Sequence, residues 1–150
     1  MLNVVLIGCG RIAKRHSDLL GKGQIKGAKL VAICDTNITK ANIVSDKYNV
    51  PAYIDMDEMM QKEQVNIAVV LNPSGLHAKH VINLAKYGKD IMVEKPMALT
   101  LDDVDAMIES CDRNNCRLFV IKQNRFNVPV VKLREAHQSG RFGKLILGTV

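Results

Sequence analysis

The sequence is poor in aromatic residues and has no long apolar run. Of its 150 residues, 4% are aromatic and none is tryptophan, which argues against a base-stacking surface for single-stranded nucleic acid. No apolar stretch approaches the ~20 residues that a membrane-spanning helix needs. The opening segment, residues 1–7, has no basic residue before its apolar run, so we expect no secretory leader. The lack of a membrane span and of a leader predicts a soluble, untargeted chain, and cysteine usage, described next, favours the cytoplasm.

Cysteine is also scarce. Four are present, and they are Cys9, Cys34, Cys111 and Cys116. None stands in the C-x-x-C spacing of a zinc or redox site, and their density is far below that of a disulfide scaffold. We therefore expect structural thiols in a reducing compartment and no metal centre.

The net charge of +6 raises the possibility of nucleic-acid binding. The basic residues are scattered, however, and the densest group, Arg11, Lys14 and Arg15, opens a predicted helix directly after a glycine turn. A local pyrophosphate suits such a group better than a duplex does. We expect no nucleic-acid partner, and the alternative would show itself as a steep dependence of DNA binding on salt.

Short apolar runs alternate with amphipathic helical segments, which is typical of parallel β-α-β units. The runs at 30–34 and 66–71 are continuously apolar or nearly so, as expected for strands covered on both faces. The predicted strands are 3–7, 30–34, 52–54, 66–71, 91–93 and 118–121. This order predicts an α/β fold, a doubly wound parallel-sheet Rossmann domain over residues 1–122.

Residues 123–150 follow this domain. A helix is predicted over 129–138, and the apolar run 145–150 stops without a turn or a polar tail. We interpret 123–150 as a connecting helix and the first strand of a truncated second α/β domain. Two helix starts are also predicted: Ser74 as an N-cap residue, and Thr100 with Asp103 as a capping box.

The segment Gly8-Cys9-Gly10-Arg11-Ile12-Ala13 joins the first strand to the first helix. Gly8 allows a tight turn, Gly10 lets the backbone approach a pyrophosphate, and Ala13 permits close packing of helix on strand. The helix N-terminus adds unpaired N–H groups at Arg11 and Ile12. This pattern predicts dinucleotide binding.

Asp35 ends the second predicted strand, at the position where a carboxylate can accept the hydroxyls of the adenosine ribose. The same carboxylate would repel the 2′-phosphate of NADP. Thr36 and Asn37, which follow it, offer no arginine for that phosphate. The sequence therefore predicts NAD, in preference to NADP, as the cofactor.

Three motifs together resemble a known family. They are Gly8–Ala13 with His16, the segment Asn72-Pro73-Ser74-Gly75-Leu76-His77, and Glu94-Lys95-Pro96. They are similar to motifs of the glucose-fructose oxidoreductase, inositol dehydrogenase and rhizopine-catabolism (Gfo/Idh/MocA) family over essentially the whole chain. Within it, residues 122–133 look most like the dehydrogenases that oxidise C3 of UDP-N-acetylglucosaminuronic acid.

The resemblance implies a catalytic role for Lys95, beside the nicotinamide and the sugar hydroxyl. It also implies Glu94 on the nicotinamide ribose and a cis bond between Lys95 and Pro96. A neighbouring nicotinamide cation favours the neutral amine, which can take part in proton transfer. The alternative is that Lys95 is an exposed residue of a proline turn.

The remaining candidates follow from the same resemblance and from position. Many relatives carry Thr-Pro where this chain has Asn72-Pro73, which leaves the role of Asn72 open. His16 is expected to pack along its helix, and His77 and His80 lack the further ligands that a metal would need. The expected cofactor-binding residues are Gly8, Gly10, Arg11, Ile12, Ala13, Asp35, Asn72, Ser74, His77, Glu94, Lys95 and Gln123. The expected substrate-binding residues are Lys95, Asn124 and Arg125.

These expectations predict an NAD-dependent enzyme that moves a hydride between the cofactor and a sugar-ring hydroxyl. A nucleotide sugar is the expected small-molecule partner, and the full-length protein is expected to form a homo-oligomer. Another sugar or a polyol such as inositol is an alternative substrate. A non-catalytic NAD sensor or scaffold is an alternative function. The 150-residue chain alone is expected to bind NAD weakly and to catalyse nothing.

Overall fold

The computed structural model describes residues 1–148 and consists of one parallel sheet with helices on both faces. The strands are β1 Leu2–Ile7, β2 Ala28–Cys34, β3 Ala52–Tyr53, β4 Ile67–Val70, β5 Asp90–Val93 and β6 Leu118–Val120. The helices are α1 Arg11–Gly21, α2 Ile38–Tyr48, α3 Met56–Lys62, α4 His77–Ala85, α5 Leu101–Arg113 and α6 Val128–Gln138. The strand order is β3-β2-β1-β4-β5-β6, so the predicted doubly wound Rossmann fold is confirmed.

The central strand β1 is buried on both faces. Val5 and Ile7 point into one hydrophobic cluster together with residues of α4 and α5, among them Val81 and Met107. Val4 and Leu6 point into a second cluster with residues of α1. Because consecutive strand residues face opposite sides, this alternation places helices on both sides of the sheet.

Side chains at the helix starts explain where several helices begin. Thr100 Oγ1 accepts the N–H of Asp103 at 3.1 Å, which is the Thr100 half of the capping box predicted for α5. Asn37 Oδ1 accepts from Thr39 and Lys40 at the start of α2. These bonds satisfy N–H groups that have no partner within the helix.

The prediction that Ser74 caps α4 is wrong. Ser74 belongs to a short 3₁₀ turn, residues 74–76, and its side chain makes no capping bond. The α-helix proper begins three residues later, at His77. The turn forms because the N–H of Leu76 bonds to the carbonyl of Pro73 at 2.8 Å, which tightens the chain before the helix begins.

The carboxyl-terminal segment differs in part from expectation. The helix after residue 122 is present as α6, but residues 145–148 show no strand, since no described neighbour pairs with them. Thr149 and Val150 lie outside the described residues. The division at residue 122 and the strand over 145–150 therefore stay predictions. Among the described helices, none is both long and apolar enough to cross a membrane.

Candidate functional site

The candidate site lies at the carboxyl ends of β1, β4 and β5, where the strand order changes direction. Open α/β sheets bind their ligands at this type of edge. An open cleft of about 280 Å³ occupies it. Its lining residues are Arg11, Ile12, Asn72, Pro73, Ser74, His77, Glu94 and Lys95. The structure thus brings together seven of the predicted site residues, drawn from three separate segments.

The two glycines of the turn after β1 have different roles. Gly8 has φ +102°, and a Cβ there would lie 3.0 Å from the backbone carbon of Leu71 and 3.1 Å from the nitrogen of Asn72. A Cβ at Gly10 would meet no heavy atom within 4 Å. Gly8 is therefore required by the fold, whereas Gly10 leaves open space beside the start of α1. The first N–H groups of a helix have no partner within the helix and suit an anion.

Asp35 braces the same turn from the end of β2. Its Oδ2 accepts the N–H of Cys9 at 2.7 Å, and its Oδ1 accepts the N–H of Asn37 at 2.8 Å. A carboxylate oxygen accepts more than one hydrogen bond, so both oxygens keep capacity for ribose hydroxyls. NAD requires hydrogen-bond donors for its phosphates and an acceptor for its ribose hydroxyls. The start of α1 and Asp35 offer these groups, so the residues present fit NAD.

The Cys9 thiol, which lies between the two glycines, is not a reactive group. Burial, together with the negative charge of Asp35, raises the pKa of Cys9 to about 12. Because the thiolate is the reactive form, Cys9 is protonated and unreactive at neutral pH. All four cysteines are free thiols in the structure.

The segment after β5 presents Lys95 to the cleft. The Lys95–Pro96 bond is cis, as the resemblance implied. Glu94 is 9% exposed, and its Oε2 accepts the Lys95 N–H at 3.1 Å while its Oε1 lies 3.2 Å from His16 Nε2. Lys95 itself is exposed, and within residues 1–148 its ammonium makes no ion pair or hydrogen bond. It is therefore available to a ligand in the cleft.

Sequence reasoning missed the contact between His16 and Glu94. We expected His16 only to pack along its helix, but it joins α1 to the segment after β5. The two residues are 78 positions apart, and no local pattern relates them. The expected contact of Glu94 with the nicotinamide ribose stays a prediction.

Two histidines of α4 hold Asn72. The Nε2 atom of His77 lies 2.9 Å from the Asn72 carbonyl oxygen, and the Nδ1 atom of His80 lies 2.9 Å from Asn72 Oδ1. Burial lowers the pKa of His80, with smaller contributions from Lys79 and His77. Among residues 1–148, no group of three or more His, Cys, Asp or Glu side chains is arranged to hold a metal ion.

Seven predicted residues do not line the cleft: Gly8, Gly10, Ala13 and Asp35 beside it, and three residues after β6. Gln123, Asn124 and Arg125 form a short 3₁₀ turn after β6 and are exposed. They stand at the carboxyl end of their strand, the same edge as the cleft, but do not line it. Their contacts with cofactor and substrate stay predictions.

Comparisons with known proteins agree with this geometry. The family model GFO_IDH_MocA, described as an oxidoreductase family with an NAD-binding Rossmann fold, matches residues 2–122. The myo-inositol 2-dehydrogenase of Thermotoga maritima is 34% identical over 144 residues, which cover 95% of this chain and 42% of that protein.

Solved structures with the same fold include two WlbA dehydrogenases in complex with NADH and UDP-GlcNAcA. The enzyme from Bordetella pertussis is 35% identical with a TM-score of 0.88, covering 95% of this chain and 43% of that one. The enzyme from Chromobacterium violaceum is 32% identical with a TM-score of 0.89, covering 95% and 41%. The chain thus spans about two fifths of the length of these relatives.

Proposed function

Because this chain belongs to the Gfo/Idh/MocA oxidoreductase family and forms its NAD-binding Rossmann domain, we propose that the protein oxidises a hydroxyl of a sugar or polyol. One observation carries the proposal: Lys95 lines the same cleft as the first turn of α1. A proton-transfer group and the anion site of the cofactor therefore open into one space. A domain that only stores or senses NAD has no need of that lysine.

The reaction assigned to the cleft is a proton removal coupled to hydride loss. When bound, NAD accepts the hydride of the carbon that carries the reacting hydroxyl. The Nζ atom of Lys95 takes the proton of that hydroxyl, and the carbon–oxygen bond becomes a carbonyl. The Asp35 carboxylate and the first turn of α1 bind and orient, while Glu94 holds the backbone of Lys95 in place.

The substrate we propose first is UDP-N-acetylglucosaminuronic acid, oxidised at C3. The two WlbA structures, crystallised with UDP-GlcNAcA, support it. Arg125 supports it as well, because a guanidinium at the ligand edge of the sheet suits a carboxylate or a diphosphate. Gln123 and Asn124 stand in the same turn and are the accompanying candidates for polar contacts.

Inositol is the second candidate, favoured by the 34% identity to the Thermotoga maritima myo-inositol 2-dehydrogenase. An uncharged polyol offers Arg125 only neutral hydroxyls and no anionic group, so it depends on the guanidinium less. The two candidate substrates therefore differ in how much their binding depends on the Arg125 side chain. The non-catalytic sensor is the remaining alternative, and it demands neither Arg125 nor Lys95.

The deciding experiment is an NADH absorbance assay. It uses the 150-residue chain and, where the reading frame continues, its full product, with UDP-N-acetylglucosaminuronic acid, myo-inositol and no substrate. Reduction of NAD with the nucleotide sugar, lost in Arg125→Ala, supports the first candidate. Reduction with inositol that is insensitive to Arg125→Ala supports the second. NAD binding without any reduction by the full product would support the sensor.

The domain organisation, oligomeric state and location of the protein are part of the same proposal. Two-domain dehydrogenases build the substrate pocket between domains, so we propose that residues 123–150 lead into a second α/β domain and that 1–150 alone is inactive. A homo-oligomer in the cytoplasm is proposed for the full-length protein. The four free thiols support a reducing compartment.

A further inference from the structure

His77, the first residue of α4, is almost completely buried, with 1% of its surface exposed. Its Nδ1 atom lies 2.8 Å from the carbonyl oxygen of Pro96, and its Nε2 atom lies 2.9 Å from the carbonyl oxygen of Asn72. Both distances are those of good hydrogen bonds. Both partners are backbone carbonyl oxygens, which accept hydrogen bonds and cannot donate them.

The number of protons on the ring decides whether both contacts are favourable. A neutral imidazole has one N–H, so its second nitrogen would direct a lone pair at a carbonyl oxygen. Turning the ring over would place carbon atoms opposite the two oxygens. Only the imidazolium, with an N–H on each nitrogen, satisfies both carbonyls of this buried site.

The two carbonyls belong to different loops of the cleft. Asn72 follows β4, and Pro96 follows Lys95 in the segment after β5. Both segments line the cleft, and the His77 ring joins them. Its nitrogens are already used by the protein, so the ring has no free polar atom to offer to a ligand.

We propose that His77 is a positioning residue: as an imidazolium it fixes the spacing between the Asn72 loop and the Lys95 loop, and so shapes the cleft for the cofactor. The proposal rests on the NAD site described above. The sequence predicted that His77 contacts the cofactor directly. We now propose instead that His77 acts through two backbone carbonyls.

The charged and titratable groups around the ring come from three elements. Glu94 and Lys95 line the cleft from the segment after β5, and Arg11 lines it from α1. His80 and Lys79 lie on the helix of His77 itself. Glu94 is the acidic member of this set and bonds to His16; the two carbonyl oxygens therefore favour the imidazolium against burial and the neighbouring cations.

The first test counts protons on the ring without any cofactor. A long-range ¹H–¹⁵N spectrum of the ¹⁵N-labelled chain distinguishes protonated from bare ring nitrogens. The chain has four histidines, so His16→Gln, His80→Gln and His137→Gln identify the other three and leave the His77 signals. At neutral pH, we expect both His77 nitrogens to carry a proton. A single protonated nitrogen would overturn the proposal.

The second test measures NAD affinity by calorimetry. Since Gln cannot donate to two carbonyls on opposite sides, we expect His77→Gln to weaken NAD binding by roughly tenfold, the scale of one charge-assisted hydrogen bond. The matched control is His137→Gln, an identical change at an exposed position of α6, which should stay within about twofold of wild type. Equal affinity in a folded His77→Gln chain would contradict the positioning role.

The outcomes separate this inference from the proposed function. Failure of the wild-type chain to bind NAD would reject the cofactor site, whereas the proton count would stand on its own. If His77→Gln does not fold, NAD affinity of the wild-type chain is compared on either side of the pH at which the spectrum shows the second His77 proton leaving. Affinity that is unchanged across that pH would also overturn the proposal.

Discussion

His16 and Glu94 form the contact that connects the two halves of the site. His16 Nε2 lies 3.2 Å from Glu94 Oε1, and their side chains are 22% and 11% exposed. His16 belongs to α1, whose first residues line the cleft, and Glu94 immediately precedes Lys95. The pair therefore links the first helix to the segment that carries Lys95, and Glu94 also accepts the N–H of Lys95.

We expect the two residues to be energetically coupled. A double-mutant cycle with His16→Ala and Glu94→Gln, followed by urea unfolding, should give a coupling free energy of about 0.5–1.5 kcal/mol, because the pair is largely shielded from water. The same cycle with Glu58→Gln and Lys62→Ala, an exposed ion pair on α3, should give less. Additive effects of His16→Ala and Glu94→Gln would show that the contact does not hold the site together.

Asp35 is expected to select NAD. Asp35→Ala removes the ribose acceptor and the brace on the Cys9 N–H, so NAD affinity should fall by about 1.5–3 kcal/mol, the range of hydrogen bonds to charged groups. Discrimination against NADP should shrink, because the repelling carboxylate is gone. Calorimetry with both cofactors measures this, and Asp46→Ala, an exposed carboxylate on α2, is the control. Unchanged NAD affinity would refute the assignment.

Local sequence signals were sufficient for the sheet and for half of the site. Continuous apolar runs, glycine turns and the Thr100 cap are each encoded within about ten residues, so the six strands and the α5 start could be predicted. Gly8, Gly10 and Asp35 could be found because a turn and a strand end fix them.

The rest depends on contacts between distant segments. The pairing of His16 with Glu94 spans 78 residues, and the two carbonyls around His77 come from loops 5 and 19 residues away. No periodicity encodes such contacts. The 3₁₀ turn at Ser74 could not be predicted for a different reason. It depends on one backbone hydrogen bond just before the start of α4, and the residue types there give no sign of that bond.

Lys95 is expected to be required for turnover and dispensable for NAD binding. In the full-length enzyme, Lys95→Met should lower kcat by roughly 10²–10⁴, the usual contribution of a positioned acid or base. NAD affinity should hardly change, because we propose that the glycine turn and Asp35, and not Lys95, bind the phosphates and the adenosine ribose. Lys89→Met is the matched control, since Lys89 precedes β5 at the opposite edge of the sheet. Normal turnover in Lys95→Met would return Lys95 to the role of an exposed turn residue.

His80 is expected to make the fold sensitive to mild acid. Burial lowers the pKa of His80 in the folded chain, so the unfolded chain binds the proton first, near its ordinary pKa of about 6.5. The free energy of unfolding should therefore decrease as the pH falls below that value and level off below the folded pKa. In His80→Gln this contribution should be missing, while the exposed His137→Gln should keep it. Urea midpoints measured from neutral to acidic pH check the difference, and identical slopes would exclude His80 as the cause.

The two glycines of the turn should separate folding from cofactor binding. Gly8 has a positive φ, and a methyl carbon added to it would lie 3.0–3.1 Å from backbone atoms of Leu71 and Asn72, so Gly8→Ala should cost about 1–3 kcal/mol of stability. Gly10 has an ordinary φ of −74° and open space around it, so Gly10→Ala should unfold at nearly the wild-type urea concentration. Its methyl group would instead occupy the space that a pyrophosphate needs, and NAD affinity should fall by roughly tenfold, or about 1.4 kcal/mol. Urea unfolding and NAD titration of both variants test this. If Gly10→Ala bound NAD as tightly as the wild type, the cofactor's phosphates would have to lie elsewhere than at the start of α1.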